Sequence, residues 1–265
     1  MKKIIFSLIL SINALFAKNI VILEPSSIEI IFMLEAQDSI AAIAKTQSSD
    51  IWPQEEVAKL ASIGTYIKPN LEKIVEINPD LVLVSYHSSS IINDLDRFNI
   101  KHEMIQANSI DDIYKNIIKI GKFVVKEKES KKIIDDFQNR INALKFDKLK
   151  DKKALFFYSA TNLLSFGKDT LPDSIFKIMG IKNIASKLKG SNPIVSPEYL
   201  LEENPDFMLV VSNGNVDDFL KQYPILRHTN AVKNNKIFII NGSSLLRGTP
   251  RIINEIEKIY SEFIK

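Results

Sequence analysis

With 265 residues and 45% hydrophobic content, the chain can bury a sizeable core, which excludes a disordered, collagen-like or staple-dependent small protein and leaves room for two modest domains. It contains no cysteine, so disulfides, thiolate metal sites and cysteine nucleophiles are excluded, and a lipid anchor on an N-terminal cysteine is not expected. The formal charge of +3 comes from interspersed basic and acidic residues, without the clustered basic face that a nucleic-acid partner needs.

Residues 1–17, MKKIIFSLILSINALFA, place Lys2 and Lys3 before an apolar run and end on Ala17, which predicts a secretory signal peptide cleaved after Ala17 and a periplasmic mature protein. The competing reading, an uncleaved anchor, is disfavoured because Ser11 and Asn13 interrupt a run that is short of the roughly 20 apolar residues a span requires. Residues 19–23 read as a strand, Pro25 to about Ala36 as an amphipathic helix, and residues 40–44 as a second strand. A long connection with only short helical potential follows over residues 45–68. It carries Trp52 and Tyr66, and is read either as a binding loop or as a surface elaboration.

A helix opening at Asn70 and closing at Asn78-Pro79-Asp80 leads into the apolar strand LVLV, after which Tyr86 and His87 emerge. Residues 109–150 read as helical, with Ile113, Ile117, Ile120, Val124, Ile133, Phe137, Ile141 and Leu144 at helical spacing and Gly121 as the sole glycine. Residues 126–150 are expected to form a stiff connecting helix. A strand over residues 154–158 begins the second half, and a Gly-Pro turn after Arg247 leads into a terminal amphipathic helix that uses Ile252, Ile253, Ile256, Ile259, Tyr260 and Phe263.

The two halves repeat one another. PNLEKIVEINPDLVLV (residues 69–84) aligns without a gap on VSPEYLLEENPDFMLV (residues 195–210), each with a glutamate, six residues and then Pro-Asp. EIIFMLEAQDSIA (residues 29–41) likewise aligns on DSIFKIMGIKNIA (residues 173–185). The distance from Glu29 to Glu72 is 43 positions and that from Asp173 to Glu198 is 25, so the first half carries an insertion. The expected fold is α/β: two similar lobes with mainly parallel sheets, residues 18–125 and 151–265, joined by one long helix, with a ligand cleft between them at the carboxyl ends of the strands.

The strings IVILEPSSIEIIFMLEA, IGTYIKPNLEKIVEINPDLVLV, VSPEYLLEENPDFMLV and RGTPRI, in this order and spacing, resemble the periplasmic solute-binding proteins of ABC importers for iron-siderophores, haem and cobalamin. The resemblance covers essentially the whole mature chain. It implies a monomer that captures a bulky metal chelate and delivers it to an ABC permease at the inner membrane, with no intrinsic cofactor. It further implies that Glu72 and Glu198, at matching positions of the two halves, dock onto permease arginines, although a carboxylate in a helix's first turn also meets the helix dipole favourably without any partner. One departure is Glu35, where the family usually has glycine.

A large, flat chelate needs aromatic walls and a few oriented polar groups. The candidates by position are Trp52, Tyr66, Tyr86, Tyr158, Phe166 and Arg247. Tyr66 lies where the family's cobalamin binders place an aromatic ring and its haem binders have an iron-ligating tyrosine nearby; its phenolate is a candidate ligand for haem iron, and His87 is a second one. Arg247 would pair with a propionate, phosphate or catecholate, or else form a salt bridge stabilising the terminal helix; Arg251 reads as structural. His87, His102 and His228 show no ligand-like spacing for a free transition metal. A periplasmic enzyme on the same scaffold is the rival class, but no GxSxG, HExxH or glycine-rich phosphate loop is present.

Overall fold

In the computed structural model, residues 19–46, 51–212, 214–240 and 245–265 are described; the predicted signal peptide, residues 1–17, lies outside them. The first half runs β1 (Ile20–Ile22), α1 (Pro25–Met33), β2 (Ile40–Lys45), α2 (Gln54–Lys59), β3 (Ser62–Thr65), α3 (Leu71–Ile77), β4 (Leu81–Val84), α4 (Ile92–Arg97) and β5 (His102–Met104). Two helices follow, α5 (Ile110–Phe123) and α6 (Glu127–Ala143). The second half runs β6 (Lys153–Ser159), β7 (Leu164–Ser165), α7 (Leu171–Ile178), β8 (Lys182–Asn183), α8 (Pro197–Glu203), β9 (Phe207–Val211), α9 (Val216–Gln222), α10 (Asn230–Lys233), β10 (Ile237–Ile240) and α11 (Ile252–Ile264).

The strands form two separate five-stranded sheets. The first has the order β3-β2-β1-β4-β5 and is parallel throughout. In the second, β10-β9-β6-β7 with β8 beside β6, only the β6–β7 pair is antiparallel. The fold is α/β with mainly parallel sheets. Runs such as IVI and LVLV are apolar at every position because helices cover both faces of a parallel sheet.

Alternate residues of each central strand enter different cores. Val21, Leu23, Val82 and Val84 pack on one side of the first sheet, and Leu155, Phe157, Met208 and Val210 on one side of the second. Their neighbours Ile20, Ile22, Leu81 and Leu83 share a single continuous core with Ala154, Phe156, Phe207 and Leu209. Helices α1, α5, α7 and α11, with Phe137 of α6, fill the space. Each fully buried aliphatic side chain in it contributes about 1.5–3 kcal/mol, which is what fixes the halves to one another.

The duplicated helix-strand unit repeats atom for atom at its key points. Asn70 Oδ1 caps α3 by accepting the Lys73 N–H, and Ser196 Oγ caps α8 by accepting the Tyr199 N–H. Both helices end on an asparagine in left-handed backbone, Asn78 at φ 48° and Asn204 at φ 47°, a conformation asparagine tolerates better than most residues. The aspartate two residues later latches the next strand to the central one. Asp80 Oδ2 accepts the Asn19 N–H at 2.9 Å while its own N–H donates to the Asn19 carbonyl, and Asp206 does the same with Lys153.

The extra length of the first half builds α2 and the edge strand β3, which pairs with β2. After α1, Glu35 takes left-handed backbone at φ 54°; after α7 the equivalent turn holds Gly180 at φ 71°. Residues 109–150 form two helices rather than one continuous helix: Val125 at φ 57° turns the chain back, and α6 spans Glu127–Ala143 of the expected connecting segment. Gly121 permits the crossing, since a Cβ there would lie 1.9 Å from Ser130 Oγ. α6 is then tied to α11 by Arg140, whose Nε and Nη2 donate to the Glu257 carboxylate at 2.8 and 2.6 Å.

Candidate functional site

In an open parallel sheet a ligand meets the carboxyl ends of the strands where chain order diverges from the central strand. Here that point lies beside β1, flanked by β2 and β4, and beside β6, flanked by β8 and β9. Of the aromatic residues singled out by the sequence, Trp52 and Tyr86 lie on the loops leaving β2 and β4, Tyr158 lies on β6 itself, and Tyr66 and Phe166 follow the neighbouring strands β3 and β7.

After β4, Ser85 and Ser88 fix the turn reciprocally: Ser85 Oγ accepts the Ser88 N–H at 3.1 Å, and Ser88 Oγ accepts the Ser85 N–H at 3.0 Å. The two residues between them that matter, Tyr86 and His87, are thereby turned outward, with Tyr86 69% exposed. Tyr66, half-buried just beyond β3, meets His87 edge-on at 5.5 Å between ring centroids, and His87 meets Tyr86 at 6.0 Å. Three predicted contact residues from two loops thus gather at one edge of the first sheet. In the second half, Tyr158 stands 51% exposed near the carboxyl end of β6. The antiparallel turn into β7 brings Phe166 to 5.6 Å from it, with Phe156 backing Phe166 at 5.2 Å.

Trp52 and Arg247 form a third group. Trp52, 39% exposed, donates its backbone N–H to Glu29 Oε1 at 3.3 Å. Arg247 Nη1 donates to the same oxygen at 2.5 Å, and only 12% of the Arg247 side chain is exposed. The sequence left Arg247 between pairing with a ligand anion and bracing the terminal helix; its carboxylate partner is Glu29 of the first half. Arg251, which reads as structural, also bonds Glu29 and stacks its guanidinium 5.0 Å over the Trp52 ring.

Glu72 and Glu198 are exposed in the first turns of α3 and α8, while Ile74 and Leu200 beneath them are fully buried. Neither carboxylate has an ion-pair partner among the described residues.

Two acids at the site were missed by the sequence reading. Glu24 directly follows the β1 strand run and caps α1, its Oε2 accepting the Ser27 N–H at 2.9 Å, the Ser27 Oγ hydroxyl at 3.1 Å and the Ser26 hydroxyl. The residue is partly accessible, but its carboxyl group is enclosed, and burial pushes it above the usual carboxylate range against the lowering effect of these serine bonds. Its signal is an acid wedged between an apolar strand and Pro-Ser-Ser. Glu29 is only 2% exposed on α1; its signal was its alignment with Asp173, a second buried acid.

Among the described residues no helix is long and apolar enough to cross a membrane. The chain is 26% identical to the vitamin B12-binding protein of Vibrio vulnificus (strain YJ016), over 99% of this chain and 97% of that one. Its backbone resembles the periplasmic heme-binding protein HutB of Vibrio cholerae with a TM-score of 0.78, at 25% identity over 91% of this chain and 97% of that one. It also resembles a possible iron-binding periplasmic solute-binding protein of Staphylococcus epidermidis with a TM-score of 0.81, at 22% identity over 94% of this chain and 100% of that one. The duplicated units, the paired parallel sheets and the family model that matches residues 20–243 agree, and the chain belongs to the periplasmic binding protein family.

Proposed function

We propose that this protein is the substrate-binding component of an ABC importer: it captures an iron chelate, haem or a ferric siderophore, in a cleft between its two lobes and delivers it to a membrane permease. The observation that carries this reading is the gathering of Tyr66, Tyr86 and His87 at the carboxyl edge of the first sheet, where the switch point of an open α/β sheet receives its ligand. Tyr158 and Phe166 at the corresponding edge of the second sheet supply the opposite wall. The aromatic faces suit a flat, partly apolar ligand, and the Tyr66 phenol, with His87 beside it, offers an axial ligand to haem iron. In this reading the lobes comprise residues 18–125 and 151–265 with residues 126–150 between them, and the protein acts as a periplasmic monomer after cleavage behind Ala17. It binds without turnover.

Cobalamin is the second reading, favoured by the B12-binding relative from Vibrio vulnificus that spans nearly the whole chain. It uses the same aromatic walls and needs no metal ligand from Tyr66. Absorption titrations of the purified protein with haem, cyanocobalamin and a ferric catecholate separate the alternatives. The iron-chelate reading expects a shifted haem Soret band that Tyr66→Phe abolishes, with affinity weakened on the order of tenfold or more. Tight binding of cyanocobalamin alone, indifferent to Tyr66→Phe, transfers the assignment to cobalamin. Binding of none of the three overturns capture of a metal chelate.

A further inference from the structure

Glu29 is buried on α1, yet its carboxylate is the meeting point of groups from distant parts of the chain. Oε1 accepts Arg247 Nη1 and the Trp52 N–H, and Oε2 accepts Arg251 Nη1 at 3.3 Å. Arg251 in turn lies over the Trp52 indole. The contacts close a ring: carboxylate to guanidinium, guanidinium to indole, indole backbone to carboxylate. Glu29 and Trp52 come from the first half, and Arg247 and Arg251 from the segment between β10 and α11. That segment is pressed onto the first half at a second point, for a Cβ on Gly248 would fall 2.4 Å from the Ala107 Cβ.

The aligned acid of the second half behaves differently. Asp173 is as buried as Glu29, but its partners Lys177, Asn183 and Ser186 all belong to its own half. Only the first-half copy reaches across. Hydrogen bonds to an ionised carboxylate are among the stronger ones in proteins, and removing the charge leaves two closely placed guanidinium groups that repel one another. Without Glu29, the Arg251 guanidinium keeps no hydrogen-bond partner among the described residues, and the backbone at Trp52 loses its acceptor.

We infer that Glu29 is a positioning residue for ligand capture. Without touching the ligand, it holds Trp52 of the first half and Arg247 of the second in one arrangement, so that recognition depends jointly on both halves. This rests on the proposed ligand capture and on the expectation, from their positions in the sequence, that Trp52 and Arg247 contact the ligand.

Trp52 is the sole tryptophan of the chain, so its fluorescence reports this arrangement with no ligand present. In ligand-free Glu29→Gln, compared with wild type at a temperature where far-UV circular dichroism shows both folded, the emission maximum shifts and acrylamide quenching changes. Glu29→Asp, which keeps the charge, returns both toward wild type. Titrated with haem, cyanocobalamin or a ferric catecholate, whichever the wild type binds, Glu29→Gln binds on the order of tenfold more weakly. A residue that merely braces the fold lowers Tm without moving the Trp52 signal; that result, or wild-type affinity in folded Glu29→Gln, overturns the inference. Should Glu29→Gln not fold, Arg251→Lys, which keeps a cation but removes the planar group from the indole, decides the matter, and unchanged Trp52 emission there overturns it. Wild-type protein that binds none of haem, cyanocobalamin and the ferric catecholate removes the ligand reading and this inference with it. That failure is told apart from failure of the Glu29 arrangement because the fluorescence measurement needs no ligand.

Discussion

A carboxyl group enclosed at the end of a central strand gains hydrogen bonds but loses hydration, and Glu24 shows which effect dominates. Burial raises its pKa from the usual 4.5, and the bonds from Ser26 and Ser27 only partly offset the shift. The folded protein therefore holds this proton more tightly than the unfolded chain does. Below about pH 4.5 the group is neutral in both states; as the pH climbs through the raised folded value, the stability carried by that proton is lost. Glu24→Gln keeps an acceptor for the Ser27 N–H and carries no charge to desolvate. Its Tm should match wild type near pH 4 and exceed it near pH 8, as thermal melts at the two values will show. Equal differences at both pH values would mean that the carboxyl is not under this strain. The sequence names Glu24 but not this property, because enclosure comes from packing that no local pattern records. The burial of Glu29 was hidden for the same reason: on an amphipathic helix an acid is expected to face solvent, and its arginine partners lie more than 200 positions away at Arg247 and Arg251. The positions of the aromatic residues in the fold were legible because strand ends and the loops after them can be read from apolar runs.

At the scale of elements, the units with local punctuation were the ones that could be read. Asn70 and Ser196 as caps, and Asn-Pro-Asp as the stop, specify α3-β4 and α8-β9 without reference to anything distant. Strands β3, β7 and β8 escaped because each is two to four residues long and buries a single side chain. The break between α5 and α6 escaped because it falls on Val125, a β-branched residue for which left-handed backbone is unfavourable. What forces it is the helix crossing at Gly121 and Ser130, where Ser130 Oγ donates to the Ile117 carbonyl at 3.1 Å. Gly121→Ala tests this. Alanine is the better helix former by about 0.8–1 kcal/mol, yet its methyl group would enter the space of Ser130, and overpacking of this kind costs about 1–3 kcal/mol. The net expectation is destabilisation of about 1 kcal/mol in urea unfolding. Gly121→Ala combined with Ser130→Ala should recover part of it, because the Ser130 Cβ at 3.1 Å still crowds the added methyl. Stabilisation by Gly121→Ala alone would show that the two helices can separate at no cost.

For the whole molecule, duplication places matching surfaces on both halves, and the permease-docking proposal follows from that symmetry. Glu72 and Glu198 occupy the same first-turn position of two identically capped helices, and each helix is seated by a fully buried residue, Ile74 or Leu200. The continuous core between the sheets and the Arg140–Glu257 tie hold the two helices at a set separation. A rigid pair of carboxylates at a set spacing selects a partner with cations at the same spacing. Since one exposed ion pair contributes only about 0–1 kcal/mol, either glutamate alone would orient the complex weakly. On the docking proposal, their combined effect would therefore be on encounter and register more than on tightness. The expected outcome follows in a reconstituted importer: Glu72→Lys or Glu198→Lys slows chelate-stimulated ATP hydrolysis, and the two together abolish it. On the docking proposal, like charges would then face the permease at both contacts. Chelate affinity of the isolated double variant stays at the wild-type value, because neither side chain belongs to the aromatic clusters at the sheet edges. Normal stimulation by the double variant would assign both glutamates to the dipoles of their own helices, where a first-turn carboxylate is worth about 0.3–1 kcal/mol and needs no partner at all.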